Sequence, residues 1–281
     1  MFDPAGAQPK TDKEKENLIG AVQSVRSQVT AYDRDSSPRK GRARQLDTVT
    51  YDAKGNEIER IIYDDYGFLV GKEIRDYDAD GVISEIRLSD PKGALMERRI
   101  YTFNNAKLAQ IVSNNSNNVT VLKQVDTYDA KGRLKEELYF DPNKLAGKTA
   151  YKYDQSSNIS EVSFYLGNGS RAVAPIGPCL GAQRVVYTYD KERRIETKVA
   201  FELDGQIKQS WRYTYTSKGQ VAEDTRESFW SITKFVNVYE YDSTGNWVKQ
   251  VSNVTVTDQS KLMEGGPTSR KTETLREIRY Y

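Results

Sequence analysis

The chain has 281 residues, 42 basic against 40 acidic, with no histidine and one cysteine, Cys179. A net charge of +2 gives no general attraction to nucleic acid or to an anionic membrane. The missing histidines exclude a histidine general base, Ser-His-Asp and Cys-His arrangements, histidine-ligated zinc and c-type haem attachment, and the lone cysteine excludes an internal disulfide.

Residues 1–20 read as a tail and a short helix. Ala5-Gly6-Ala7 before Gln8 has the A-x-A form of a signal cleavage site, although the N-terminus lacks a signal peptide's apolar core. The expectation is therefore an exported, extracytoplasmic protein, of the periplasm or cell surface. Thr11 and Glu14 have capping-box spacing, and Gly20 ends the helix predicted over 12–18. Ala21 to Tyr32 is the first strand. Residues 33–44 form a polar hairpin tip in which Arg39, Lys40 and Arg42 are candidate contacts for an acidic partner. No apolar run approaches the roughly 20 residues of a helical membrane span.

From Tyr51 the chain repeats. Asp52, Asp64, Asp78 and Asp90 are spaced 12, 14 and 12 residues apart, and Gly55, Gly67, Gly81 and Gly93 follow each by three. The aspartate accepts a backbone N–H two residues on and starts a turn; the glycine supplies the left-handed conformation that closes it. Alternating residues between turns make strands, and such short turns make successive strands antiparallel. The pattern weakens after Gly93 but is restored at Asp129–Gly132 and Asp242–Gly245, with a turn cluster at 114–118. The 36 residues from Asp154 to Asp190 have room for three units and include a Pro/Gly-rich loop at 172–182, a candidate sub-boundary that also holds Cys179. Between Gly219 and Asp242 the chain forms two strands around a turn near 227–231, or one long bent strand. The last strand is Arg270–Tyr281. The fold class is all-β: 16–18 strands in an extended antiparallel meander over 21–281, forming one large curled or twisted sheet, since an open sheet this wide must curl, split or close. Its edges are the first and last strands, blunted by Lys271, Arg276 and Arg279.

The motif resembles the YD repeat of bacterial Rhs proteins and eukaryotic teneurins. It is carried by Tyr51-Asp52-Ala53-Lys54-Gly55, Tyr63-Asp64-Asp65-Tyr66-Gly67, Tyr77-Asp78-Ala79-Asp80-Gly81, Tyr128-Asp129-Ala130-Lys131-Gly132 and Tyr241-Asp242-Ser243-Thr244-Gly245, with weaker copies across about residues 44–250. The two ends look like those of small exported bacterial YD-repeat proteins. In large members the resemblance implies a shell around a toxin, or a cell-surface ectodomain. This chain lacks their Asp-Pro-x-Gly cleavage core after the repeats: Asp3-Pro4-Ala5-Gly6 stands at the N-terminus, and Asp141-Pro142-Asn143-Lys144 lacks the glycine.

Asp76, Asp78 and Asp80 before Gly81 match the front of a calcium loop, but Arg87 stands where the bidentate glutamate belongs, so a plain turn is the better reading and no cofactor is expected. Trp211, Tyr213 and Tyr215, and Tyr239 and Tyr241, stand at i, i+2 and share a strand face; Trp247 lies near a turn. They are either a platform for sugar rings or a protein partner, or core rings of the sheet. The expectation is a non-catalytic scaffold or interaction protein, an accessory subunit of a larger protein complex, with no partner in nucleic acid. A glycan-binding module is the alternative, and a glycoside hydrolase using two carboxylates the enzymatic one.

Overall fold

The computed structural model describes residues 11–32, 38–141, 143–174, 181–258 and 268–281. The single-turn helix α1 (Asp12–Lys15) precedes eighteen strands. They are β1 (Val22–Tyr32), β2 (Pro38–Tyr51), β3 (Glu57–Tyr63), β4 (Leu69–Tyr77), β5 (Ile83–Ser89), β6 (Leu95–Asn104), β7 (Lys107–Asn115), β8 (Thr120–Tyr128) and β9 (Leu134–Asp141). There follow β10 (Lys144–Tyr153), β11 (Ile159–Leu166), β12 (Arg184–Tyr189), β13 (Ile195–Phe201), β14 (Ile207–Tyr215), β15 (Val221–Ser228), β16 (Ser231–Tyr241), β17 (Trp247–Asp258) and β18 (Thr268–Tyr280).

The all-β expectation holds, but the curled or twisted sheet with free edges does not. β1 pairs with β2 on one side and with β18 on the other, from Val22 opposite Tyr280 to Tyr32 opposite Lys271. The sheet thereby closes as an 18-stranded antiparallel β-barrel. Closure satisfies the row of N–H and C=O groups that an open edge leaves unpaired. The charges of the last strand are therefore not edge guards. Lys271 lies 4.9 Å from the Tyr32 ring centroid, and Arg279 pairs with Glu277 at 3.0 Å.

Each turn works as its residues require. Gly55 N–H donates to Asp52 O at 3.0 Å, and Asp52 Oδ1 accepts from Lys54 N and Asn56 N, both at 2.9 Å. Gly55, Gly67 and Gly132 have φ of 92, 83 and 78°. Where glycine is missing, Asn118, Ser157 and Arg193 take the left-handed position, which is why the motif fades while its geometry persists. A register shift follows the turn, so that Tyr51 faces Glu57 and Tyr128 faces Leu134; the bulge keeps both residues of the pair on one face.

Other expectations need correction. The capping box forms, but the helix stops at Lys15 because Asn17 turns left-handed (φ 55°) and Leu18 N–H bonds back to Lys13 O, sending Leu18 into the core. Residues 38–44, expected in a polar tip, belong to β2. Among the described residues two strands, β11 and β12, lie between Asp154 and Asp190; Ala172 N–H donates to Phe164 O, Ala174 N–H to Ala182 O and Gly181 N–H to Ala174 O. The stretch after Gly219 is two strands, joined by Phe229 and Trp230.

The chain divides into two compact units. Unit 1 is Met1–Val121, Val238–Ser252 and Arg270–Tyr281; unit 2 is Leu122–Asn237 and Asn253–Ser269. The core of unit 1 is Leu18, Val22, Val25, Val49 and Tyr51, with Ile278 packed against it. That of unit 2 is Ala182, Val185, Ala200 and Trp211, with Phe164, Tyr187 and Tyr213.

Candidate functional site

In four copies the tyrosine before the turn is a fastening. Tyr77, Tyr153, Tyr189 and Tyr215 each donate a hydroxyl hydrogen bond of 2.7 Å to the carbonyl of the first residue of an earlier strand: Glu57, Leu134, Ile159 and Ile195. Two of these rings are also covered by a guanidinium, Arg133 at 4.3 Å from Tyr153 and Arg194 at 4.5 Å from Tyr215. Tyr215 is therefore held on both its ring and its hydroxyl. Trp211 is only 7% exposed, with Lys198 Nζ 4.0 Å from its ring centroid, and Tyr213 packs against the same cluster.

Tyr239, Tyr241 and Trp247 form a second aromatic group in unit 1. Tyr239 lies 6.4 Å from Tyr241 and meets Trp247 edge-on at 5.8 Å between centroids. Burial pushes the Tyr239 hydroxyl up to about 12, with the Tyr241 ring adding to it. Arg39, Lys40 and Arg42 lie on β2, and their side chains are outside the described residues. Cys179 is outside them too. Asp76 pairs with Arg87 at 2.7 Å, while Asp78 Oδ1 accepts from Asp80 N and Val82 N at 3.0 and 2.9 Å. These carboxylates are engaged by the turn and its neighbour, and among the described residues no group of three acidic or cysteine side chains is set to hold a metal ion.

An open cavity of about 490 Å³ lies within unit 1. It is lined by Ser27, Asp47, Arg60, Trp247, Gln250, Thr274 and Arg276, with Leu46 and Ile62 as its apolar part. Register places this group: Arg276 opposes Ser27, Ser27 opposes Asp47, and Asp47 opposes Ile62, across β18, β1, β2 and β3. Its two cations differ in kind. Arg60 forks onto Glu57 at 2.8 and 2.7 Å and reaches Asp47 at 2.8 Å. Arg276 instead stacks 3.7 Å over the Trp247 ring. Its Nε is buried with no hydrogen-bond partner, and burial holds its pKa below the usual arginine value against the pull of distant carboxylates. The motif-centred reading of the sequence passes over Arg60, Asp47, Gln250, Thr274 and Ser27, and reads Arg276 as an edge charge. The available signal was the alternation of the last strand, which sets Arg276 on the same face as the apolar Ile278, packed against the core.

In unit 2 a carboxylate pair lies on the same face as the aromatics. Asp126 opposes Glu137, which accepts from Tyr139 at 2.8 Å and Tyr151 at 2.6 Å. Burial raises the Asp126 pKa and Glu137 adds to it, partly offset by the Gln124 amide at 2.7 Å.

No protein-family model and no curated protein sequence matches the chain. Among solved structures it is similar to a porin-like protein from Bacteroides uniformis, with 11% identity and a TM-score of 0.45 over 92% of this chain and 98% of that one. It is also similar to a mutant Tc holotoxin pore from Photorhabdus luminescens, with 10% identity and a TM-score of 0.32 over 84% of this chain and 18% of that one. At these scores neither likeness establishes a common fold, and neither establishes the YD-repeat family.

Proposed function

We propose that the chain is a non-catalytic interaction barrel of the YD-repeat type, acting outside the bacterial cytoplasm as an accessory subunit of a larger protein assembly. The observation that carries this reading is a division of labour between strands and turns. Charge covers the strands on both faces. In unit 1, Lys72–Glu59, Arg87–Asp76 and Arg98–Glu85 pair across one face. Arg60–Glu57, Arg75–Glu73 and Arg99–Glu97 pair on the other. Whichever face met lipid would place charges there at about 2–4 kcal/mol each near the bilayer midplane, so neither face of these strands suits lipid. No helix among the described residues is long and apolar enough to cross a membrane either.

Exposed apolar side chains collect instead at the connections that follow odd-numbered strands. In unit 1 Tyr66, Phe68, Leu69 and Val70 stand at the β3–β4 turn, and Leu95 and Met96 after the β5–β6 turn. In unit 2 Leu203 and Ile207 flank the β13–β14 turn. Phe229 and Trp230, 77% and 61% exposed, cross edge to face at 4.7 Å at the tip of the β15–β16 hairpin. Rigid aromatics at well-held turns are the side chains that anchor protein interfaces. The turn aspartates are occupied by backbone N–H groups, which leaves the catalytic alternative the Asp126–Glu137 pair.

Affinity capture from native envelope extract tests the proposal. The tagged chain is expected to retain a stoichiometric protein partner that the double variant Phe229→Ala, Trp230→Ala loses while its circular dichroism stays unchanged. A chain that captures only glycans on an array, or that resists alkaline carbonate extraction as an integral membrane protein, would overturn it.

A further inference from the structure

The cavity of unit 1 contains a guanidinium with no carboxylate in contact. Arg60, Arg75 and Arg99 each have a carboxylate within 3.0 Å. Arg276 has none; its Nε–H is buried without a partner, which leaves the two terminal Nη groups to meet a ligand. A guanidinium cannot shed its charge, and a π face offers no lone pair in line with its N–H groups. Trp247 therefore fixes the plane of Arg276 without satisfying its donors. Because Tyr239 meets Trp247 at 5.8 Å and Arg276 covers a face at 3.7 Å, the indole acts as a support for the arginine and not as a free stacking platform.

We propose that this cavity binds a small sugar acid of the hexuronate type, its carboxylate forked onto Arg276 and its hydroxyls held by Ser27, Asp47, Gln250 and Thr274. The proposal is independent of the interaction surface at the turns. Three features select this chemistry. One guanidinium with no carboxylate in direct contact matches one planar carboxylate through two parallel N–H groups. Asp47, which lines the same cavity, disfavours a dianion such as phosphate, whereas its own charge is already answered by Arg60 at 2.8 Å, leaving it an acceptor for hydroxyls. The remaining lining sets two hydroxyls and an amide beside the apolar Leu46, Ile62 and Trp247, a mixed surface that suits the two sides of a sugar ring. A volume of about 490 Å³ lies in the range of small-molecule sites and admits a sugar ring with its ordered water.

Calorimetric titration of the full chain with galacturonate, galactose, acetate and inorganic phosphate tests this. Galacturonate is expected to bind saturably, more tightly than each of the other three, and to raise the melting temperature. Arg276→Gln is expected to weaken galacturonate binding by about 10- to 100-fold, the loss of a charge-assisted hydrogen-bond pair, and to leave the far-ultraviolet circular dichroism unchanged. Arg276→Lys should rescue little, since an ammonium keeps the charge but not the fork. If Arg276→Gln fails to fold, the comparison of ligands on the native chain decides alone. Galactose binding as well as galacturonate would overturn the carboxylate assignment. Acetate or phosphate binding as well would overturn the sugar assignment. Absence of galacturonate binding, or a folded Arg276→Gln that binds normally, would overturn the site.

Discussion

The residue that follows each turn by two positions shows how one repeat builds two different interiors. In unit 2 it is aliphatic, Leu134, Ile159 and Ile195, and in each case a later tyrosine bonds to its carbonyl. In unit 1 it is aliphatic too after Gly67, Gly81 and Gly93, at Leu69, Ile83 and Leu95, but after Gly55 it is Glu57, whose side chain is only 4% exposed. The Tyr77 hydroxyl still reaches the Glu57 carbonyl, but the carboxylate collects Arg60 and Arg75. Asp12 of α1 adds a contact to the Glu57 N–H at 3.1 Å and to the Tyr77 hydroxyl at 2.8 Å. Backbone geometry and tyrosine fastening are thus common to both units, and what fills the face is set by a single side chain. A buried carboxylate demands partners, and each partner brings its own.

The comparison can be broken at Glu57. Glu57→Leu, which writes the unit 2 residue into unit 1, is expected to destabilise by about 3–5 kcal/mol because it removes a charge-assisted partner from each of two partly covered arginines, which keep only Asp47 and Glu73. Adding Arg60→Met and Arg75→Met should recover most of the loss, since an apolar set of similar volume replaces the whole network. Urea denaturation of the single and triple variants measures both. A single variant as stable as the native chain would show that the network contributes nothing.

Trp211→Ala probes the other interior. It removes a buried ring and the support of Lys198, and is expected to cost about 3–5 kcal/mol. The loss should be nearly independent of ionic strength, unlike that of any charge variant at a partly exposed pair. Equal salt sensitivity of Trp211→Ala and Glu57→Leu would erase the distinction between the units.

Tyr77→Phe and Tyr215→Phe test what the units share. Each deletes a hydroxyl bond to a strand-opening carbonyl and is expected to cost about 1 kcal/mol in thermal or urea unfolding. Tyr77→Phe should cost somewhat more, because its hydroxyl also faces Asp12, and it should loosen α1 in amide hydrogen exchange.

The smallest effect is expected at Asp126. Its pKa is raised in the folded chain, so the folded state holds the proton more tightly than the unfolded state. Its contribution is therefore most favourable below the unfolded carboxylate value and declines as pH rises through the folded value. Asp126→Asn should remove that decline and stabilise the chain at pH 7, by less than about 1 kcal/mol given solvent screening at a half-exposed group. The urea midpoint measured across acidic to neutral pH reads this directly, and an Asn variant less stable than the native chain at pH 7 would reverse the sign.

Strand, turn and alternation were legible because they are local. Asp-x-x-Gly encodes its own hydrogen bonds, so the turns at Asp52, Asp64, Asp78, Asp129 and Asp242 and the existence of about eighteen strands follow from residues a few positions apart. Even the capping box of Thr11 and Glu14 forms as its spacing demands. Closure was not legible, because whether Val25 meets Ile278 depends on the twist accumulated over every strand between them, and no local pattern records that sum. The same event decided the meaning of Arg276: it stands on an edge if the sheet is open, and in a cavity beside Ser27 and Trp247 once β1 pairs with β18. Aromatic residues at i, i+2 announced a shared face from the sequence alone. Only the pairing of strands decided that Trp211 is buried beneath Lys198 while Trp230, at a two-residue turn with no strand beyond it to cover it, stays in water.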